Sequence, residues 1–175
     1  MLSSKHIKSR YNRKYYTIFA GWDRRLQEFV KHLPTLPVQI RILDVGCGPG
    51  DLVSYFTKLG YRAVGVDYSP AGIALAKKHP GKFLVMDATH LKFPDNSFDA
   101  VFSIEVAEHV NQPELTQSLK ETKRVLAPGG ILWLHTEPNR VFNDYFYPYW
   151  SYPVGSWLIW LNNKLGNHYP PMIKP

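Results

Sequence analysis

The chain is poor in cysteine. Cys47 is alone among 175 residues, so no intramolecular disulfide framework can hold the fold together, and a reducing compartment is expected. Long apolar runs are also missing. No stretch approaches the roughly 20 residues of a spanning helix, and no charged-then-apolar leader opens the sequence. A cytoplasmic location is the resulting expectation, with any membrane contact peripheral. There is no repeat and no low-complexity segment, which leaves out solenoids and fibrous arrays. Net charge is scarce over most of the length. Residues 1–32 carry eight Lys/Arg against two Asp/Glu, while the remaining thirteen basic and twelve acidic residues nearly cancel, so the net +7 is a local N-terminal feature. A solvated amphipathic helix is its plain reading, and a surface for phosphates or a membrane is the sharper one. What is abundant is ordinary for one soluble globular domain: 45% hydrophobic and 20% charged residues.

Periodicity orders the rest. Ile18, Phe19, Trp22, Leu26, Phe29, Val30 and Leu33 recur at helical steps over Tyr15 to Leu33, and Pro34 and Pro37 end that helix. Ile40 to Val45 predicts a strand. Asp51 to Leu59 predicts a helix with Leu52, Tyr55, Phe56 and Leu59 inward, stopping at Gly60. Ala63 to Val66 predicts a second strand. Ser69 caps the next helix, Pro70 suits its first turn, and Pro80-Gly81 closes it. Phe83 to Met86 and Ala100 to Ile104 predict further strands around the turn-rich "FPDNSFD". A helix from Pro113 directs Leu115, Leu119, Thr122 and Leu126 inward, "APGG" stops it, and Ile131 to Leu134 is a fifth strand. Apolar strands alternating with helices predict an α/β, doubly wound, Rossmann-like and mostly parallel sheet. Its ligand belongs at the carboxyl ends of the strands, where the winding reverses.

At the first such end stands "ILDVGCGPGD". A strand, a glycine turn and a helix suit a nucleotide, and Asp67, after the next strand, is placed to accept two ribose hydroxyls. Charge selects among nucleotides. The third small position of a dinucleotide fingerprint, counted from Gly46 and Gly48, falls on Asp51. Asp44 is near, and no Lys or Arg lies between Asp44 and Asp51, so a pyrophosphate would meet two carboxylates and no cation. S-adenosyl-L-methionine has no phosphate and a cationic tail, which a carboxylate-flanked turn suits.

Four motifs in order, "ILDVGCGPG", "AVGVDYS", "FLVMDATHLKFPDNSFDAVFS" and "RVLAPGGILWL", resemble the class I S-adenosylmethionine-dependent methyltransferases of the type 11, ubiquinone-pathway-like group, over about Ile40 to Asn139. The resemblance implies a strand order of 3-2-1-4-5. It implies that Gly46, Gly48 and Gly50 admit the methionine and ribose portions and that Asp44 organises the amino-group side. Asp67, with Tyr68 beside it, would hold the ribose, and Asp87 and the Ala88 backbone the adenine. Cys47, inside the turn, reads as a small buried residue.

The fourth strand leads into "EVAEHV". On a helical turn starting there, Glu105, Glu108 and His109 would share one face. The pattern resembles the Glu-x-x-Glu-His of ubiquinone-pathway O-methyltransferases and small-RNA 2′-O-methyltransferases, where it binds metal, but relatives also carry "EHV" without metal. Three readings stay open: a divalent-cation site, His109 as general base for a hydroxyl acceptor, or substrate contact and packing. The preferred assignment is a catalytic His109 with no tightly held metal and Glu105 on the cofactor side. His135 ends the fifth strand near the same place.

Three regions are expected: a basic helical segment (1–37), the cofactor-binding core (38–139) and an aromatic, proline-rich tail (140–175) that packs on the core or forms a lid. In the tail, Trp157 and Trp160 would suit a headgroup boundary. The family's last two strands are not visible, so a C-terminally shortened chain is expected. The favoured acceptor is small or lipid-like. RNA or protein methylation through the basic helix is the first alternative, and a non-catalytic cofactor-binding fragment the second. The oligomeric state and the acceptor atom are left open.

Overall fold

The computed structural model describes Tyr16, Gln27, residues 29–31, Leu33, residues 36–37 and residues 39–136. The chain divides into two units, Met1–His135 and Thr136–Pro175, and every described residue except Thr136 lies in the first. The tail, including Trp157 and Trp160, and most of the N-terminal helix reading lie outside the described residues.

Five parallel strands form one sheet in the order β3-β2-β1-β4-β5: β1 Arg41–Val45, β2 Arg62–Asp67, β3 Lys82–Val85, β4 Phe98–Ile104 and β5 Leu126–His135. Helix α1, Asp51–Lys58, joins β1 to β2. Helix α2, Pro70–Ala76, joins β2 to β3, and α3, Gln112–Val125, joins β4 to β5. β1 pairs with β2 from Arg41 opposite Arg62 to Val45 opposite Val66, and with β4 from Ile42 opposite Ala100 to Asp44 opposite Phe102. The chain thus winds outward from β1 to β3 and then restarts on the other side of β1. The reversal falls between β1 and β4, which is where such sheets leave a crevice.

Both faces of the sheet are covered, and this explains the unbroken apolar strands. Along β1, Ile42 faces a core with Phe56, Ile73 and Phe102, while Leu43 and Val45 face another with Val66, Val101 and Val125. Ile42 and Leu43 are both fully buried, and burying each such side chain contributes about 1.5–3 kcal/mol. Phe29 stacks edge-on against Phe102, Trp133 and His135, with centroids 6.4, 5.9 and 6.4 Å away. The helix starts are chemically marked. Ser69 Oγ accepts from the Gly72 N–H at 3.2 Å. Asn111 and Glu114 form a reciprocal capping box, Oδ1 accepting from the Glu114 N–H at 2.9 Å and Glu114 Oε2 from the Asn111 N–H at 3.4 Å.

Several expectations from the sequence are corrected. Leu59 is 57% exposed because α1 ends at Lys58 and Leu59 is already its cap. Leu119 is also exposed, at 37%; α3 buries Thr122, as expected, and with it Val125. "APGG" does not separate α3 from β5. The strand begins at Leu126, opposite Phe98, and the segment bulges before pairing resumes at Ala100 opposite Ile131. Gly129, at φ 76°, accommodates the bulge.

Candidate active site

The glycine turn follows β1 directly. Gly46, Gly48 and Gly50 have φ of 82°, 48° and 89°, the left-handed region where a side chain is strained. Space is as restrictive as backbone. A Cβ on Gly46 would run into the Val106 side chain, and one on Gly50 would stand 2.6 Å from the Phe83 ring and 2.8 Å from Ala76. The Gly46 and Cys47 N–H groups both donate to the Val66 carbonyl, at 2.8 and 3.0 Å, so the turn is stitched to the end of β2.

Asp67 ends β2 and is 6% exposed. Its Oδ2 accepts from the Gly48 N–H at 2.9 Å and its Oδ1 from the Ser69 N–H at 2.7 Å. Burial raises its pKa, and those two bonds, with one from the Tyr16 hydroxyl, pull it back. Asp44 is 4% exposed. Its carboxyl is pushed up to about 8, first by burial and then by the charges of Asp67 and Asp51. Burial and the charges of Asp44 and Asp67 push the Cys47 thiol up as well, so this buried cysteine is a neutral packing residue.

Three carboxylates therefore gather where the winding reverses, and the charges acting on Asp44 are all negative. A phosphate would deepen that repulsion and a cation relieves it. A sulfonium and an ammonium on an adenosine fit this donor set, and a pyrophosphate does not.

Past β3, Asp87 Oδ1 accepts from the Thr89 N–H at 2.9 Å and the Thr89 hydroxyl at 2.7 Å, which folds the following loop. Half-buried Ala88 packs against the Val66 core. Arg124 of α3 fixes the far part of this loop, donating to the Phe93 and Leu91 carbonyls at 2.8 and 2.7 Å and to Glu121. Tyr68 is half-buried directly after Asp67.

The end of β4 differs from the helical turn expected there. Glu105 is left-handed, at φ 55°, and its N–H donates to the His135 carbonyl at 2.9 Å. The turn that follows is a short 3-10 segment, Ala107–His109, which Glu105 precedes. Glu105, Glu108 and His109 therefore do not share a helix face, because the chain reverses its backbone hand before the turn begins. Among the described residues, no group of three or more His, Cys, Asp or Glu is arranged to hold a metal ion. Glu108 Oε1 and His109 Nε2 are 4.0 Å apart, and the His109 side chain is 40% exposed. His135 is exposed and its ring meets Phe29.

Two participants were not anticipated. Val106 makes glycine obligatory at position 46. Tyr16 lies over the turn: a Cβ on Gly48 would be 3.3 Å from its ring, and one on Gly72 would be 3.0 Å from its Cζ and hydroxyl. Their only trace in the sequence is indirect, as glycines on neighbouring elements that leave room for something large.

The family model for a methyltransferase domain matches residues 43–134, more than half the chain. The chain belongs to the class I S-adenosylmethionine-dependent methyltransferases. S-adenosylmethionine is the cofactor of this family. The chain is 37% identical over 128 residues to the 2-methyl-6-phytyl-1,4-hydroquinone methyltransferase of Synechocystis sp., an alignment covering 70% of this chain and 40% of that protein. It is 34% identical over 126 residues to the sterol 24-C-methyltransferase erg6 of Aspergillus fumigatus, covering 65% and 33%. A solved structure of SAM-dependent methyltransferases from Methanosarcina mazei superimposes with a TM-score of 0.54 at 30% identity, covering 57% of this methyltransferase chain and 53% of that one. The chain thus spans well under half the length of these two curated relatives. Among the described residues no helix is long and apolar enough to cross a membrane.

Proposed function

We propose that this chain binds S-adenosylmethionine across the carboxyl ends of β1 and β2 and directs its methyl group to a small, lipid-like acceptor at the ends of β4 and β5. The observation that carries the reading is the pair of buried carboxylates Asp44 and Asp67, with half-buried Asp51 beside them, around a left-handed glycine turn. When bound, the cofactor supplies an already activated methyl carbon, so the protein's task is mainly alignment. Asp67 takes the ribose hydroxyls, while Asp44 and Asp51 attract the cationic tail. The Gly46, Gly48 and Gly50 backbone admits the ligand, with Tyr68 and Glu105 beside it. Asp87 and the Ala88 backbone bound the adenine side.

His109 serves as the base toward an acceptor hydroxyl. Its side chain is exposed enough to meet an incoming molecule, and Glu108 Oε1 lies 4.0 Å from its Nε2. A lipid-like acceptor is favoured because the relatives named above are a phytyl-hydroquinone and a sterol methyltransferase. In this reading residues 38–139 supply the cofactor-binding core.

Titration calorimetry with S-adenosylmethionine tests the cofactor half. Transfer of labelled methyl to isoprenoid hydroquinones and sterols in detergent tests the acceptor half, with RNA as the opposing substrate. RNA binding that weakens steeply with salt, together with RNA methylation, would replace the lipid reading.

A further inference from the structure

Asp67 has a third polar neighbour besides the two backbone N–H groups. A carboxylate offers about four acceptor positions. Gly48 N–H and Ser69 N–H occupy one on each oxygen, at 2.9 and 2.7 Å. Both bonds belong to the fold, since they tie the glycine turn and the start of α2 to the end of β2. Among the described residues two positions remain, the number a ribose diol needs, and the Tyr16 hydroxyl donates into one of them. The ring that carries this hydroxyl spans the glycines on both sides of Asp67, Gly48 at 3.3 Å and Gly72 at 3.0 Å from a built Cβ. Unlike the backbone donors, the phenol sits on a rotatable, half-buried side chain and can leave.

We propose that the Tyr16 side chain competes with the cofactor's ribose for the Asp67 carboxylate, and so sets how tightly an adenosine-bearing ligand is held. This rests on the assignment of Asp67 to the ribose. Binding exchanges the phenol–carboxylate bond for ribose–carboxylate bonds, and the ring must swing off Gly48 and Gly72 to allow it. Tyrosine at this position lowers affinity by the worth of the bond that is broken.

The test is a double-mutant cycle on S-adenosylmethionine affinity, read by calorimetry on the full chain, with circular dichroism to establish folding. Tyr16→Phe keeps the ring and removes the competitor. It should tighten binding about tenfold, the scale of a net hydrogen bond to a charged group. In the Asp67→Ala background the same substitution should change nothing, because no carboxylate remains to compete for. Unchanged or weaker binding by Tyr16→Phe overturns the competition and makes Tyr16 a wall of the site. So does a gain that persists without the Asp67 carboxylate. If the folded wild-type chain binds no S-adenosylmethionine at all, the cofactor-site reading falls and this inference with it. Measurable wild-type binding with a silent Tyr16→Phe removes the inference alone.

Discussion

The carboxyl end of β1 and β2 and the carboxyl end of β4 and β5 lie side by side on one sheet, yet they are built differently. At the first, Asp44 and Asp67 are buried, three glycines are held left-handed by their neighbours, and each Asp67 oxygen is engaged by backbone. At the second, His109 is 40% exposed, and the turn that carries it is three residues long. The edge strand β5 leaves Ile131, Leu132 and Leu134 exposed at 43, 39 and 42%. A cofactor shared by a whole family can be met by a fixed, dry cradle. An acceptor that differs among members calls for surfaces that are easily rebuilt. Val106 after β4 packs on Gly46 after β1, which ties the two ends together. In the proposed reading, that contact keeps the methyl donor and the acceptor in register.

The largest expected effect lies at the open end. His109→Ala should lower the rate of methyl transfer by about 10²–10⁴, the usual worth of a positioned general base, while leaving S-adenosylmethionine affinity unchanged. Glu105→Ala and Glu108→Ala should cost less, and EDTA should have no effect. Equal damage from all three substitutions, with loss in EDTA and recovery in Mg²⁺, would turn the acceptor end into a metal centre. A His109→Ala enzyme as fast as wild type would instead leave that end to contact and packing.

At the closed end the first consequence is for the fold. Gly50→Ala places a Cβ at φ 89° against Phe83 and Ala76. The left-handed backbone costs about 1–2 kcal/mol and the overpacking about 1–3 kcal/mol more. Denaturant unfolding should therefore show a loss of roughly 2–5 kcal/mol. Wild-type stability would mean that the turn relaxes freely and that the cradle is less rigid than the comparison holds.

How much of this was legible in the sequence follows the same division. The glycine turn, the place of Asp67 and the parallel sheet could be read because strand, turn and helix leave local signatures: apolar runs, glycine spacing and the Ser69 cap. The end of β4 could not, because its outcome is not local. Glu105 takes φ 55° with its N–H on the His135 carbonyl, thirty residues away in the chain, and only then does a 3-10 turn begin. A helical wheel drawn from Glu105 assumes that neither happens. Leu119 misled for a related reason: helical spacing identifies a stripe, but which edge of it meets the sheet is set by the neighbouring strand. Tyr16 was invisible because its partners are on the glycine turn, the end of β2 and α2, all far along the chain.

Asp67→Ala follows in size. Removing the ribose acceptor should weaken S-adenosylmethionine by about 1.5–3 kcal/mol, the cost of losing hydrogen bonds to a charged group. It also strips the Gly48 and Ser69 N–H groups of their partner, so the variant's fold must be measured alongside. Asp67→Asn, which keeps an acceptor oxygen, separates the two causes. If Asp67→Asn binds as tightly as wild type and Asp67→Ala does not, Asp67 organises the turn and its charge is not what the ligand reads.

The smallest effect is the most diagnostic of the buried carboxylates. Asp44 is raised from 3.8 to about 8 by burial, then by Asp67 and Asp51. Near neutral pH the folded, ligand-free protein therefore holds a proton on Asp44 that the unfolded chain has released. Its share of stability is complete below the unfolded value and declines as pH rises toward about 8. A cationic ligand reverses the preference, because it favours the carboxylate and expels that proton. S-adenosylmethionine affinity should thus rise with pH, by at most about tenfold per unit for one proton, and level off above about 8. Calorimetry at neutral pH in two buffers of different ionisation heat should report proton release into the buffer. Asp44→Asn, neutral at every pH, should flatten the profile, whereas His109→Ala, at the other end of the crevice, should not. Affinity that is independent of pH in wild type, with no proton released, would mean that Asp44 is already ionised before the ligand arrives. The closed end would then be wetter than its burial implies, and the contrast between the two ends would lose its electrostatic half.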